Sequence, residues 1–355
     1  MTRRNIELLL LLVAAPIVIL LYAMIVVNQG QALGVNTLGV PLGIFAAFGL
    51  AHFAARIWAP GADPAILPIS FALSGIGIAF VTRLAPDLAV RQVFWLYLGI
   101  AAMVAVLVFI RNLDKAVEYK YTLMIAGFLL LLSPMLPVIG TETYGSRIWL
   151  SIGSFSFQPG EIAKIMIVLF LAGYLATNRE MLSVFTLRVG PFWLPDFRTL
   201  MPLLVMWAVS LVIVIFEKDL GSALVVFFVF VTMLYVASGK KSFAVVALAL
   251  AAIGAIAMWS IFGHVQVRVA TWLDPFADPT DTGFQLCQAI FSMADGNLFG
   301  VGIGNGLCDM IPVVESDYIF AAIAEETGLL GAAGLLLLYV CFAVRGIVTA
   351  ARAKS

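Results

Sequence analysis

Residues 198–241 read RTLMPLLVMWAVSLVIVIFEKDLGSALVVFFVFVTMLYVASGKK, two uncharged apolar runs (199–216 and 220–237) separated only by Glu217-Lys218-Asp219. A helix needs about 20 apolar residues to cross the roughly 30 Å hydrocarbon core of a bilayer. Each run approaches that length, and neither carries the polar face a water-facing helix requires. The stretch therefore reads as two membrane-spanning helices joined at a tight charged corner.

Outward from this pair, the same ruler divides the chain into about ten spans. They lie near 6–27, 37–58, 66–82, 90–110, 121–139, 161–177, 199–216, 220–237, 243–262 and 318–345. Of 355 residues, 63% are hydrophobic and 11% charged, against about 25% charged in a typical soluble protein. Such a chain cannot cover a water-soluble surface. The apolar runs recur from residue 6 to 348, so one signal peptide cannot account for them. The fold expected is all-α, a polytopic transmembrane helical protein with a long extracytoplasmic loop near 263–317. Net charge is zero, and no basic block is present to neutralise a phosphate backbone, which argues against a nucleic-acid partner.

Orientation follows from Lys and Arg in short loops. With the N-terminus in the cytoplasm, all but Arg83, Arg91, Arg147, Lys164, Lys218 and Arg268 of the 20 Lys and Arg fall on the cytoplasmic side. Both chain ends are then cytoplasmic, and segments 140–160 and 263–317 face outward. The latter is too long for an idle connection, and its apolar stretch predicts a short amphipathic helix across 283–294. Cys287 and Cys308 share this outer side; two free thiols are expected, with a disulfide as the alternative.

Ionisable groups within spans cost about 2.5–3.5 kcal/mol each to insert, so each needs a reason. Pro159 is placed to begin a helix, which sets Glu161 and Lys164 three residues apart on one face. They pair there either as a structural neutralisation or as the lining of a polar cavity open to the outside. Asp219 is either an N-cap for the following span or part of a functional corner. Asp317 is placed to cap the last span. Glu325 lies two turns further in and must face protein or water. The outer loop carries Asp274, Asp278 and Asp281 with Arg268 just before them, then Gly296, Gly300, Gly302, Gly304 and Gly306. Blandly read, this is a hydrophilic loop; glycines so spaced also let backbone amides approach a phosphate. His264 is one of 2 histidines, too few for a histidine-based metal site or triad.

Six stretches in order carry a resemblance: Gly145-Ser-Arg-Ile-Trp-Leu150, Phe157-Gln-Pro-Gly-Glu-Ile-Ala-Lys164, Asp219-Leu-Gly-Ser222, Asp274-Pro-Phe-Ala-Asp-Pro279, Gly283-Phe-Gln285, and Asp317-Tyr-Ile-Phe320 with Ala324-Glu-Glu-Thr-Gly328. Together they resemble the SEDS family (shape, elongation, division, sporulation), closer to its RodA branch than to FtsW. The resemblance implies a glycosyltransferase that polymerises lipid II on the outer face of the bacterial cytoplasmic membrane, alongside a class B penicillin-binding protein. It also implies an N-terminal pair of helices at 1–64 and a family core at 65–355. The family's key aspartate corresponds to Asp278, which becomes the catalytic base; related proteins tolerate Asn where Asp274 stands. Arg147, Lys164 and Arg268 would stabilise the departing pyrophosphate, with a divalent cation (Mg or Mn) as an optional aid and no certain cofactor. Glu161 would hold Lys164, and Gln285 and Asp317 would shape the sugar site. Asp219 and Glu325 would be structural or line the cavity.

The chain departs from the family at Gly160, usually Ser, and at Glu217-Lys218, usually Gln-Pro. Members also continue past the equivalent of Ala351-Arg-Ala353 into two more helices, so a chain ending at Ser355 is expected to lack them. Two other readings stand beside the polymerase: a flippase for the lipid-linked precursor, and a non-catalytic scaffold of the elongation or division machinery. A flippase needs a route open to both faces, and the cytoplasmic halves of these spans offer few charges. The polymerase reading is favoured because it alone uses the outer carboxylates and their neighbouring cations.

Overall fold

The computed structural model describes residues 2–110, 118–136, 140–143, 146–152, 155–180, 185–189, 192–195, 197–216, 220–239 and 241–353. In chain order the helices are α1 (Arg3–Asn28), α2 (Val35–Trp58), α3 (Ile66–Leu84), α4 (Pro86–Phe109), α5 (Lys120–Leu132), α6 (Pro159–Thr177), α7 (Phe197–Phe216), α8 (Leu220–Ser238), α9 (Lys241–Ile261), α10 (Gly263–Leu273), α11 (Phe284–Asp295) and α12 (Ile319–Arg352). Seven of these are long and apolar enough to cross a membrane, or eight if the broken pair Ala247–Ile261 and Gly263–Leu273 is one span. The apolar segments at Lys120–Met135 and Met201–Ser210 are shorter. The helical, polytopic architecture read from sequence is present, with fewer full-length spans among the described residues than the ten expected. The charged corner at 217–219, including Asp219, lies outside the described residues.

One departure from a purely helical reading is local. Segment 140–157 forms strands β1 (Gly140–Thr143), β2 (Ser146–Ile152) and β3 (Phe155–Phe157) in one antiparallel sheet, with Thr141 opposite Trp149 and Leu150 opposite Phe157. The hydroxyls of Thr141 and Ser151 lie 3.2 Å apart across it. Strands β4 (Phe185–Val189) and β5 (Phe192–Pro195) form a second hairpin.

The chain divides into two compact units, Met1–Arg111 with His264–Ser355, and Asn112–Gly263. In the second unit α6 packs on α5 and α8, and α8 also meets α7 and α9. Its core is apolar, centred on Phe170, Leu171, Leu203 and Met206. The indole of Trp207 stacks on the ring of Phe230 with centroids 5.7 Å apart. In the first unit α1 packs on α2 and α3, α4 on α2 and α3, and α12 on α3 and α11. The rings of Phe45 and Phe48 meet Phe71 edge-on at 5.8 and 5.4 Å. This unit also buries charge. Glu7 accepts from Arg4 and meets His52 Nδ1, both at 2.6 Å, with all three side chains at most 5% exposed.

Helix α12 is broken at Gly328, whose φ of 70° and ψ of −174° lie outside helical space. Such a break frees amides and carbonyls that hydrocarbon cannot satisfy. The loop after α11 satisfies them: Val301 and Gly302 donate to the carbonyls of Glu325 and Glu326 (2.9 and 3.2 Å), while Leu329 and Leu330 donate to those of Asn297 and Leu298 (2.9 and 3.2 Å). A Cβ on Gly300 would sit 2.2 Å from the Glu326 carbonyl oxygen, which explains the glycine there.

The side chains of the same two residues capture the next turn. Glu326 accepts from the Gly304 amide (2.7 Å), and Glu325 accepts from the Leu307 amide (2.6 Å) and the Cys308 thiol (3.2 Å). The Arg83 Nε at the end of α3 lies 3.3 Å from Glu326, and Arg83 also donates to the Gly306 carbonyl at 3.1 Å. The glycine-rich run thus presents amides not to a phosphate, the ligand its spacing suggested, but to the protein's own pair of carboxylates. Glu325 faces protein, as expected of a charge two turns inside a span. Removing one partner of a buried ion pair costs about 3–5 kcal/mol. Glu326→Leu should therefore sharply lower the thermal unfolding midpoint of the purified protein in detergent, and Arg83→Met added to it should recover much of the loss.

Candidate functional site

The site residues named from sequence divide between the two units. Arg147, Glu161 and Lys164 belong to the second; Arg268, Asp278, Gln285 and Asp317 belong to the first.

In the second unit, α6 begins at Pro159, as its missing N–H predicts. One turn in, Lys164 Nζ donates to Glu161 Oε1 at 2.7 Å. The Glu161 side chain is 62% exposed and that of Lys164 24%, so the pair is an open one that can exchange partners at little cost. Arg147 projects from β2 and is exposed. The sheet therefore supplies a rigid base for a cation that the sequence placed only on a loop.

In the first unit, the acidic stretch is a compact turn. Asp274 caps the short 3-10 helix Pro275–Ala277 by accepting from the Phe276 amide at 3.2 Å. Asp278 accepts from the Thr282 amide (3.2 Å) and hydroxyl (3.1 Å), with the Thr280 hydroxyl at 3.5 Å. Those donors, the Thr282 amide first, hold the Asp278 carboxyl below the usual aspartate range. The Gly283 amide closes the turn on the Asp278 carbonyl at 2.9 Å. The two neighbouring aspartates thus differ in kind: Asp274 is used as a cap, while Asp278 is an oriented, ionised carboxylate on a partly exposed turn.

Directly after it comes α11, the short amphipathic helix expected across 283–294. It packs on α12, and around Ala289 it joins a small core with Cys308, Ile311, Val314, Ala321 and Ala322. Gln285 Nε2 donates to the Pro312 carbonyl at 2.7 Å, tying α11 to the segment that ends at Asp317. Asp317 does not cap α12: Tyr318 holds that position without a side-chain bond, and Asp317 is exposed, accepting from Ser316 at 3.3 Å. Its carboxylate is thereby left facing outward. Arg268 is exposed on α10. Cys287 and Cys308 are free and buried; burial, with Glu325 beside it, pushes the Cys308 thiol up and keeps it protonated. Among the described residues, no group of three His, Cys, Asp or Glu side chains converges as a metal site would require.

The sequence reading missed Arg83 as the clamp on Glu326. The signal was present, since Arg83 is one of the few basic residues that the expected Lys and Arg bias leaves off the cytoplasmic side. It also missed the carboxylate of Glu326, the acceptor for the Gly304 amide.

A cavity of about 490 Å3 runs within this unit between α3, α4 and α12. Leu73, Ile78, Val81 and Leu96 form apolar walls, and Gln92 and Glu315 add polar groups to the lining.

Comparison with known proteins places the chain in a family. The FtsW/RodA/SpoVE family, described as cell cycle proteins, matches residues 69–355. The peptidoglycan glycosyltransferase RodA of Mycobacterium tuberculosis H37Rv is 38% identical over 362 residues, covering 98% of this chain and 77% of that protein. RodA of Mycobacterium leprae is 36% identical over the same span. A chain of a solved peptidoglycan synthase complex, in which polymerization and crosslinking are coordinated, is 26% identical, with a TM-score of 0.59 over 80% of this chain and 77% of that one. The rod-shape-determining protein RodA of Thermus thermophilus shares the fold at a TM-score of 0.50, with 24% identity over 80% of this chain and 74% of that one. The chain is a multi-pass membrane protein and belongs to the FtsW/RodA/SpoVE family.

Proposed function

We propose that this chain is a peptidoglycan glycosyltransferase that polymerises lipid II into glycan strands at the outer face of the bacterial cytoplasmic membrane, serving cell-wall elongation. The observation that carries the reading is the 38% identity, across 98% of the chain, to a RodA peptidoglycan glycosyltransferase. Both termini are cytoplasmic in this reading, supported by the Lys and Arg bias. A class B penicillin-binding protein cross-links the product, a partnership supported by the likeness to a chain of a synthase complex. The outer-end cavity between α3, α4 and α12 has apolar walls suited to part of an isoprenoid tail.

Asp278 acts as general base. Its carboxylate takes the proton of the acceptor sugar's 4-hydroxyl as that oxygen bonds to the anomeric carbon of the donor, and the bond to the lipid pyrophosphate breaks with inversion. Because the Thr282 donors keep Asp278 ionised but weakly basic, proton transfer follows most of C–O bond formation, when the attacking hydroxyl has become acidic. Arg147, Lys164 and Arg268 stabilise charge on the departing pyrophosphate, and Glu161 holds Lys164 until substrate arrives. Gln285 and Asp317 shape the sugar site, with Asp219 and Glu325 in structural roles. No step of this mechanism runs through a divalent cation.

Purified with a class B partner whose transpeptidase serine is replaced, the chain should polymerise lipid II. Asp278→Ala should then lower the rate by about 100-fold or more. Asp274→Ala should leave most of the activity, because only a local cap is lost. Full activity of Asp278→Ala would remove it as the base. The pH profile gives a second check. A carboxyl held low stays ionised as pH falls, so the wild-type acid limb should lie below the ordinary aspartate range. Thr282→Val, which deletes one stabilising donor, should move that limb to higher pH.

A further inference from the structure

A second cavity, of about 470 Å3, opens in the first unit where α1 and α3 begin and α2, α4 and α12 end. Arg4, Glu7, Asp63 and Thr349 line its polar end, and Leu67, Trp95, Ile100, Met103 and Leu107 give it apolar walls. The α4 wall, from Trp95 to Leu107, extends about 18 Å at the helical rise of 1.5 Å per residue. That is slightly more than half of a roughly 30 Å hydrocarbon core, the depth of one leaflet.

Arg4 lies in the lining, and four more arginines surround the polar end. Arg3 donates to the Gly61 carbonyl at 2.8 Å, Arg56 to Asn5 at 3.3 Å, and Arg345 is bound to Asp63, whose carboxyl Arg352 also favours. The acids in the cavity lining are Glu7 and Asp63, and both are already engaged, Glu7 by Arg4 and His52, Asp63 by Arg345. Arg4 is 4% exposed, yet its Nε is buried without a hydrogen-bond partner. A buried guanidinium with an unused donor is costly unless an acceptor arrives. Charged groups at this depth mark polar ligand sites, and clustered arginines at a membrane interface attract anionic headgroups.

We propose that this cavity is a binding site for an anionic phospholipid of the leaflet on the N-terminal side of the membrane. The lipid phosphate meets Arg4 and the arginine rim, and one acyl chain lies along α4. Helices α1 and α2 precede the family match, which begins at residue 69, so Arg3, Arg4, Glu7 and Arg56 give this N-terminal pair a lipid-sensing role. The site is independent of the polymerase chemistry and stands or falls separately from it.

The test uses the full purified chain in zwitterionic detergent. Dioleoylphosphatidylglycerol should raise the Tm by about 4 °C or more over dioleoylphosphatidylcholine at equal concentration, and native mass spectrometry should retain the anionic lipid preferentially. A Cβ at Gly99, which lines the cavity, meets nothing within 4 Å. Gly99→Leu should fill the cavity and abolish the selective shift while leaving lipid-free stability near wild type. Should that variant not fold, Arg3→Gln, Arg56→Gln and Arg352→Gln combined, all exposed positions, should reduce the shift by at least half. Equal stabilisation by the two lipids overturns the proposal. So does an equal shift from inorganic phosphate at matched concentration, which would mark an anion site without a lipid, or full selectivity in the rim variant.

Discussion

A helix that breaks inside a membrane protein must pass its freed amides and carbonyls to other polar groups, because lipid offers none. Helix α12 breaks at Gly328, and the segment after α11 takes up what the break releases. Four backbone hydrogen bonds join residues 297–302 to residues 325–330, and the Glu325 and Glu326 side chains then hold the amides of Leu307 and Gly304. The segment from α11 to Asp317 is thereby docked on α12 instead of hanging from it. Gln285 adds its own tie to Pro312. The Asp278 turn leads directly into this docked segment, while its carboxylate is oriented by the turn's own Thr282 donors.

Burial sorts the charges by what they can do. Glu326 with Arg83, and Glu7 with Arg4 and His52, are largely buried, where a lone charge would be costly and a paired one is held in place. The Glu161–Lys164 pair is open, where an ion pair is worth about 1 kcal/mol or less. Asp278 is likewise open but oriented by its own turn. The Glu326–Arg83 pair therefore serves architecture, and the exposed groups can change partners at little cost.

Much of this was legible in the chain. Apolar run length located the spans, Pro159 announced the start of α6, and three-residue spacing predicted the Glu161–Lys164 pair. The apolar stretch after Gly283 marked α11. What escaped the sequence depends on long-range partners. Glu7 and His52 are 45 residues apart, and each looks like an isolated exception in an apolar helix. The glycine run was read as able to bring amides close to a phosphate, and nothing local names Glu325 and Glu326 as the acceptors that the Gly304 and Leu307 amides meet. Strand pairing in 140–157 was hidden because short alternating stretches between membrane spans resemble loops. Asp317 had the residue type of a cap, but the chain enters α12 at Tyr318, which frees Asp317 for another task.

The central claim is that Asp278 acts in the reaction and not in holding the substrate or the fold. Measuring lipid II binding and single-turnover polymerisation side by side for wild type and Asp278→Asn separates these roles. The account predicts unchanged lipid II affinity and an unchanged unfolding midpoint, with the chemical step nearly abolished. Parallel loss of binding and turnover, or turnover that persists in Asp278→Asn, would contradict it.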